Sequence, residues 1–157
     1  MMVKKIFIAS DHAGFQLKQK VISWCLLEKN EVLDLGTDSA ETSCHYSEFA
    51  LVTVKKLLSE FKLSGREDDA CAILICGSGI GMSMAANRFS KIRAALCKSV
   101  EEAKLARQHN NANILCLGAR SLSDTTNLDI VKKFLSTEFE GSRHQTRIDF
   151  FNLLGEK

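Results

Sequence analysis

The chain has 157 residues, 45% of them hydrophobic and 25% charged, which suits one globular domain able to close a core. A formal net charge of +2 excludes the basic stripe of a nucleic-acid binder, so any anion must be held by a few placed residues. No apolar run approaches the ~20 residues of a membrane span, the opening MMVKKIFIAS is too short in apolar residues for a secretory signal, and four of the cysteines (Cys71, Cys76, Cys97, Cys116) sit in apolar, strand-like runs, so the expected setting is a reducing cytoplasm rather than a disulfide framework.

Lys4–Ala9 reads as a buried strand that ends in Ser10-Asp11-His12-Ala13-Gly14. A helix over Phe15–Lys29 follows, with Leu17, Val21 and Trp24/Cys25 near helical spacing. Glu31–Leu35 is a weaker strand closed by Gly36, and Thr37–His45 is a polar loop. Ala50, Thr53/Val54, Leu57/Leu58 and Phe61 give one face of a helix over Ser47–Phe61, and Lys62–Asp69 is a charged surface connection. Ala70–Cys76 is continuously apolar, as a central parallel strand is, and runs straight into Gly77-Ser78-Gly79-Ile80-Gly81. A helix starts over Met82–Arg88. Strands at Arg93–Cys97 and Ile114–Leu117 flank a helix near Val100–His109, and helices over Leu128–Phe139 and Arg143–Leu154 complete the chain. Five strands alternating with helices predict an α/β fold: a single Rossmann-like domain over 1–157, with a five-stranded parallel sheet flanked by helices on both faces.

In such a sheet, ligands bind outside the carboxyl ends of the strands. That singles out Asp11 and His12 after the first strand, Cys76 and the glycine loop after the third, and Arg120 after the last. Three glycines in five residues let backbone N–H groups converge on a phosphate or a developing oxyanion; a tight strand-to-helix turn has the same look. The loop lacks the Gly-Lys-Ser/Thr of a Walker sequence. As a dinucleotide fingerprint its third glycine comes one residue early, and the next strand ends in Cys97-Lys98 instead of an acid for a ribose. A cysteine at a strand-to-loop junction can act as nucleophile or base; it can equally be a small core residue. His12, His109 and His144 lie at element ends, and no histidine pair has metal-ligand spacing on a helix. Arg143 and Arg147 are four apart, on one face of the last helix, and paired guanidiniums suit phosphate.

Taken together, four stretches resemble one family. They are Asp11-His12-Ala13-Gly14-Phe15; the run from Ile75-Cys76 through Gly81 and Ala85-Ala86-Asn87-Arg88 to Ile92-Arg93-Ala94; Arg107-Gln108-His109-Asn110; and Gly141-Ser142-Arg143-His144-Gln145-Thr146-Arg147. In this order they resemble ribose-5-phosphate isomerase type B, with galactose-6-phosphate isomerase subunits as close relatives. The resemblance implies interconversion of ribose 5-phosphate and ribulose 5-phosphate through an enediolate, in the non-oxidative pentose phosphate pathway, with no metal and no organic cofactor. It also implies a homodimer or tetramer with sites shared between subunits, and a part for the helix over about 143–154 in the dimer interface.

By the same resemblance Cys76 matches the catalytic base. Some relatives carry a glutamate base later in the loop, but here Met82 follows Gly81. Ser78 and the amides of Gly77, Gly79 and Gly81 match the groups that hold the enediolate, and His109, helped by Asp11, matches the ring-opening acid. Tyr46 and Asn110 match sugar-positioning residues, and His12, Arg120, Arg143 and Arg147 the phosphate clamp; His144, in the same motif as Arg143 and Arg147, matches a residue of ring opening or proton transfer. One stretch departs from the family: His45-Tyr46-Ser47-Glu48-Phe49-Ala50 keeps the tyrosine but has Ser47 where the family has proline, and Ser47 is then expected to cap the next helix. Galactose 6-phosphate is the competing substrate, allose 6-phosphate is open as a side substrate, and a non-catalytic nucleotide-binding module is the competing class. No nucleic-acid or membrane partner is expected.

Overall fold

The computed structural model describes residues 5–154; the predicted strand start at Lys4 and both ends of the predicted 1–157 domain lie outside the described residues. Among the described residues the chain alternates β1 (Lys5–Ser10), α1 (Phe15–Leu27), β2 (Glu31–Asp34), α2 (Tyr46–Ser64), β3 (Ala70–Cys76), α3 (Ile80–Ala86), β4 (Ala94–Leu96), α4 (Val100–Asn110), β5 (Ile114–Gly118), α5 (Asp124–Ser136) and α6 (Arg143–Asp149). All strand pairs are parallel, in the order β2-β1-β3-β5-β4, as the alternation predicts.

β3 is central and buried at every residue, which explains its unbroken apolar sequence. Its side chains alternate between two cores. Cys71, Ile73 and Ile75 face α1, α4 and α5 through Leu17, Val21, Ala103, Ala106, Ile130 and Phe134. Ala72 and Leu74 face α2 and α3 through Val54, Leu57, Phe61 and Met82. Leu74 and Phe7 are fully enclosed, and burial of each contributes about 1.5–3 kcal/mol.

Several predicted boundaries move: α3 spans Ile80–Ala86 rather than Met82–Arg88, β4 shrinks to Ala94–Leu96, α1 and α5 stop at Leu27 and Ser136, α2 runs on to Ser64, and three further shifts follow from local polar or terminal structure. α5 begins at Asp124 rather than Leu128, because the Ser123 hydroxyl accepts the Thr126 N–H and starts the helix through a polar first turn. α2 begins at Tyr46, with His45 in the cap position and no side-chain cap bond; Ser47 lies inside the helix and is not its cap. The predicted helix over 143–154 is α6 followed by a 3-10 turn over Phe150–Leu153, leaving Phe151 and Leu154 substantially exposed.

One buried cation ties the strand ends to a loop. Lys18 is completely enclosed, and its ammonium donates to both carboxylate oxygens of Asp34 (2.5 and 2.6 Å) and to the Thr37 carbonyl (2.9 Å). This pins the start of the long β2–α2 connection beside the carboxyl end of β1, where the Ser10 N–H donates to the Gly36 carbonyl and the Thr37 N–H donates to the Ser10 carbonyl.

Candidate active site

β1, β3 and β5 end side by side, and backbone bonds lock together the loops they feed. The Asp11 N–H donates to the Ile75 carbonyl at 3.1 Å, and the N–H groups of Ala119 and Arg120 donate to the carbonyls of Cys76 and Gly77, both at 2.9 Å. Asp11 is buried, and its carboxylate accepts the Gly14 N–H at 3.0 Å. Cys76, the last residue of β3, is 4% exposed, and its Sγ accepts the Gly79 N–H at 3.1 Å. Gly79 has φ +76°, and a side chain there would collide with the Leu117 backbone, so glycine is what lets this N–H turn toward sulfur. A sulfur held this way is oriented for proton transfer, with a donor in place for negative charge.

The rest of this end is assembled around that loop. Ser78 is exposed at its tip, with its hydroxyl accepting the Ile80 N–H at 3.3 Å. The Tyr46 ring lies against Gly81, where any Cβ would strike it. The Arg120 side chain passes over Gly77 at 3.6 Å from a Cβ built there. His12 accepts the Cys44 N–H at Nδ1, at 3.3 Å, which leaves its Nε2 as the proton-bearing atom. Asp11, His12, Tyr46, Cys76, Gly77, Ser78, Gly79, Gly81 and Arg120 thus belong to one constellation.

His109, Asn110, Arg143, His144 and Arg147 form a second one elsewhere. α4 runs back from β4 to the start of β5, so His109 and Asn110 lie at the amino end of the strands. Buried Arg107 holds this corner: its guanidinium donates to Asn111 Oδ1, to the Ala112 carbonyl and to the Thr137 carbonyl, joining the ends of α4 and α5. Gly141 and Ser142, with φ +64° and +50°, then turn the chain into α6. Arg143 and Arg147 are exposed on that helix, as their spacing predicts. His144 is buried, and its ring stacks on His109 with centroids 4.3 Å apart and planes 10° from parallel. Burial holds the His144 imidazole below its ordinary range; His109, Arg143 and Arg147 act in the same direction and Glu140 opposes them.

Cys76 is level with Gly118 in the sheet register, and His109 precedes Ile114. The strand between those levels spans roughly 13 Å. One chain therefore does not bring Cys76 and His109, or Asp11 and His109, to neighbouring atoms of one sugar. Sequence reading missed Glu140, whose carboxylate lies 3.9 Å from His109 Nε2 and 3.7 Å from His144 Nε2. The only hint was its place directly before the Gly141–Arg147 stretch. The test for two histidines on one helix could not find this group, because its members come from α4, α6 and the connection before α6.

Compared with known proteins, residues 6–151 match the family model described as Ribose/Galactose Isomerase. The chain belongs to the ribose/galactose isomerase family. Within this isomerase family it is 46% identical over 145 residues to a probable ribose-5-phosphate isomerase B of Mycoplasma genitalium, covering 92% of this chain and 91% of that one. It is 36% identical to the ribose-5-phosphate isomerase B of Escherichia coli, covering 99% of each. Among solved structures of the isomerase family, ribose-5-phosphate isomerase B from Mycoplasma genitalium with bound ribulose 5-phosphate superposes with a TM-score of 0.89 at 41% identity, covering 98% of this chain and 97% of that one. The Thermotoga maritima ribose 5-phosphate isomerase gives 0.87 at 46%, covering 96% and 99%.

Proposed function

We propose that the chain interconverts ribose 5-phosphate and ribulose 5-phosphate, as its isomerase relatives are named for doing, and that it does so with its own side chains. The observation that carries this is Cys76 Sγ accepting the Gly79 N–H at the end of the central strand, beside a loop of convergent amides. In the open-chain aldose the C2 proton moves to the Cys76 thiolate and is returned to C1, while the O2 hydroxyl proton passes to O1, converting aldose to ketose through an enediolate. The Ser78 hydroxyl and the amides of Gly77, Gly79 and Gly81 hold the enediolate oxygens. Tyr46 orients the sugar, Asp11 assists at the ring, and His12 and Arg120 take part of the phosphate.

His109 as ring-opening acid, Asn110 as sugar contact, and Arg143 and Arg147 as phosphate clamp then come from a second copy, with His144 beside them. The roughly 13 Å between the two constellations supports a homodimer with shared sites. Unpartnered apolar surface supports it too. β4 is an edge strand, Met84, Phe150, Phe151, Leu153 and Leu154 are exposed near it or in the final turn, and a cleft of about 360 Å³ lined by Phe89, Ile92, Ala94 and Phe151 runs there. The final turn and α6 contribute to that interface. The setting that goes with this reading is a reducing cytoplasm: among the described residues no disulfide joins any of the six cysteines, and no helix is long and apolar enough to cross a membrane.

The deciding experiment gives purified protein ribose 5-phosphate, allose 6-phosphate and galactose 6-phosphate, with and without a chelator. The expected result is the highest kcat/KM on ribose 5-phosphate, not lowered by chelation. Preference for a hexose phosphate, or activity lost on chelation and restored by a divalent ion, would overturn it.

A further inference from the structure

His109, Glu140 and His144 gather three metal-ligating side chains in one place. They come from the last turn of α4, the α5–α6 connection and α6, yet one donor atom from each lies within 4.8 Å of the others, and among the described residues no other His, Cys, Asp or Glu trio is this close. Glu140 is held in place by its own N–H, which donates to the Gln108 carbonyl at 3.0 Å. His144 is 5% exposed, and its buried Nε2 has no hydrogen-bond partner. An unpaired buried nitrogen is costly, and here it faces the Glu140 carboxylate from 3.7 Å, too far for a hydrogen bond. The separation leaves a gap between three donor atoms, which is what an ion between them would occupy.

We propose that His109, Glu140 and His144 form a binding site for a borderline divalent cation of the zinc type. Two imidazoles and one carboxylate match what such an ion takes, whereas magnesium and calcium require oxygen ligands almost throughout. Donors about 2.0–2.2 Å from a tetrahedral ion lie about 3.5 Å from one another. The 3.9 and 3.7 Å separations of Glu140 Oε2 from the two Nε2 atoms are close to that. The rings must turn out of their parallel stack so that both nitrogens converge. The His109 side chain, 38% exposed, has room to do so, while His144 stays fixed. The fourth position is left to water. An ion so placed engages the His109 imidazole that the proposed reaction uses, so it acts as a reversible inhibitor of the aldose direction. That second half rests on the proposed function; the binding itself does not.

The test uses chelator-stripped full-length protein, titrated with Co²⁺ and read by visible absorption, then with Zn²⁺ by calorimetry. The expected result is one ion per chain, Co²⁺ bands without the near-ultraviolet charge-transfer absorption of a thiolate ligand, displacement by Zn²⁺ and no competition from Mg²⁺. Glu140→Gln keeps the shape of a half-exposed side chain and should weaken binding about 10–100-fold, the range that even the supporting partners of metal ligands are worth. His144→Gln should do the same, with Glu140→Gln deciding if that variant fails to fold. No binding, an unchanged affinity in Glu140→Gln, or a thiolate band placing the ion on Cys76 or Cys44 would overturn the site. Binding with the expected signatures but undiminished ribose 5-phosphate turnover would uphold the site and overturn the role given to His109.

Discussion

At the carboxyl ends of the strands, Cys76, Asp11 and the glycine loop are fixed by backbone bonds between neighbouring strands, and Tyr46 is seated on Gly81. At the opposite end, Asn110, Arg143 and Arg147 extend from helix ends into solvent, and only His144 is buried. The first region is held together within one chain, with the Gly79 N–H already on the Cys76 sulfur. The second is a set of reaching cations on a rigid corner made by Arg107, and it acquires a target only when something is brought to it. On the proposed function, chemistry that needs sub-ångström geometry would sit on the sheet, and recognition that tolerates side-chain movement on the helix ends.

The sharpest way to break this comparison is at the sulfur. Cys76→Ala should lower kcat about 10²–10⁴-fold, with circular dichroism and inhibitor binding largely intact. An active alanine variant would make Cys76 a core residue and remove the chemistry from the first region. Mixing comes next. If each site joins Cys76 of one copy to His109 of another, co-refolded Cys76→Ala and His109→Ala proteins, each inactive, should regain about one quarter of parental activity, because half the dimers are mixed and each carries one intact site. No recovery in a verified mixed dimer would confine each site to one chain.

Smaller effects sharpen the second region. Arg147→Ala should raise KM and the inhibition constant for inorganic phosphate together, and Arg147→Lys should restore only part of both, since an ammonium keeps the charge but not the planar fork. If both constants stay unchanged, Arg147 belongs to a solvated face. The smallest effect concerns the cysteines outside both regions. Burial pushes the Cys25 and Cys97 thiols up to about 12. A raised thiol stays neutral until the pH nears that value, so both should remain unlabelled by iodoacetamide from pH 7 to 9 in the folded protein, as mass spectrometry would show. Labelling of either below pH 9 would mean that the core opens.

Much of the fold was legible because burial writes itself into sequence. β3 and β5 are unbroken apolar runs, and the helix faces of α1 and α2 carry their period openly. What was not legible came from polar side chains acting locally. The Ser123 cap lengthens α5 through four residues with no apolar period, and His45 takes the place expected of Ser47. The first region could be read because strand ends are fixed by topology. The gathering of His109, Glu140 and His144 could not, since it depends on how α4, α6 and their connection pack, which no spacing rule encodes.

The division of the constellations between the two ends of one sheet has a consequence for how much protein is needed. If a working site requires two copies, specific activity follows mass action: it falls on dilution below the dissociation constant of the pair and recovers on concentration, with no change in any chain's fold. In a mixture of intact and damaged chains the loss follows pairing statistics. Each molecule of this protein then serves the next in the role that a bound helper group serves in other enzymes, and its own abundance sets how much of it is switched on.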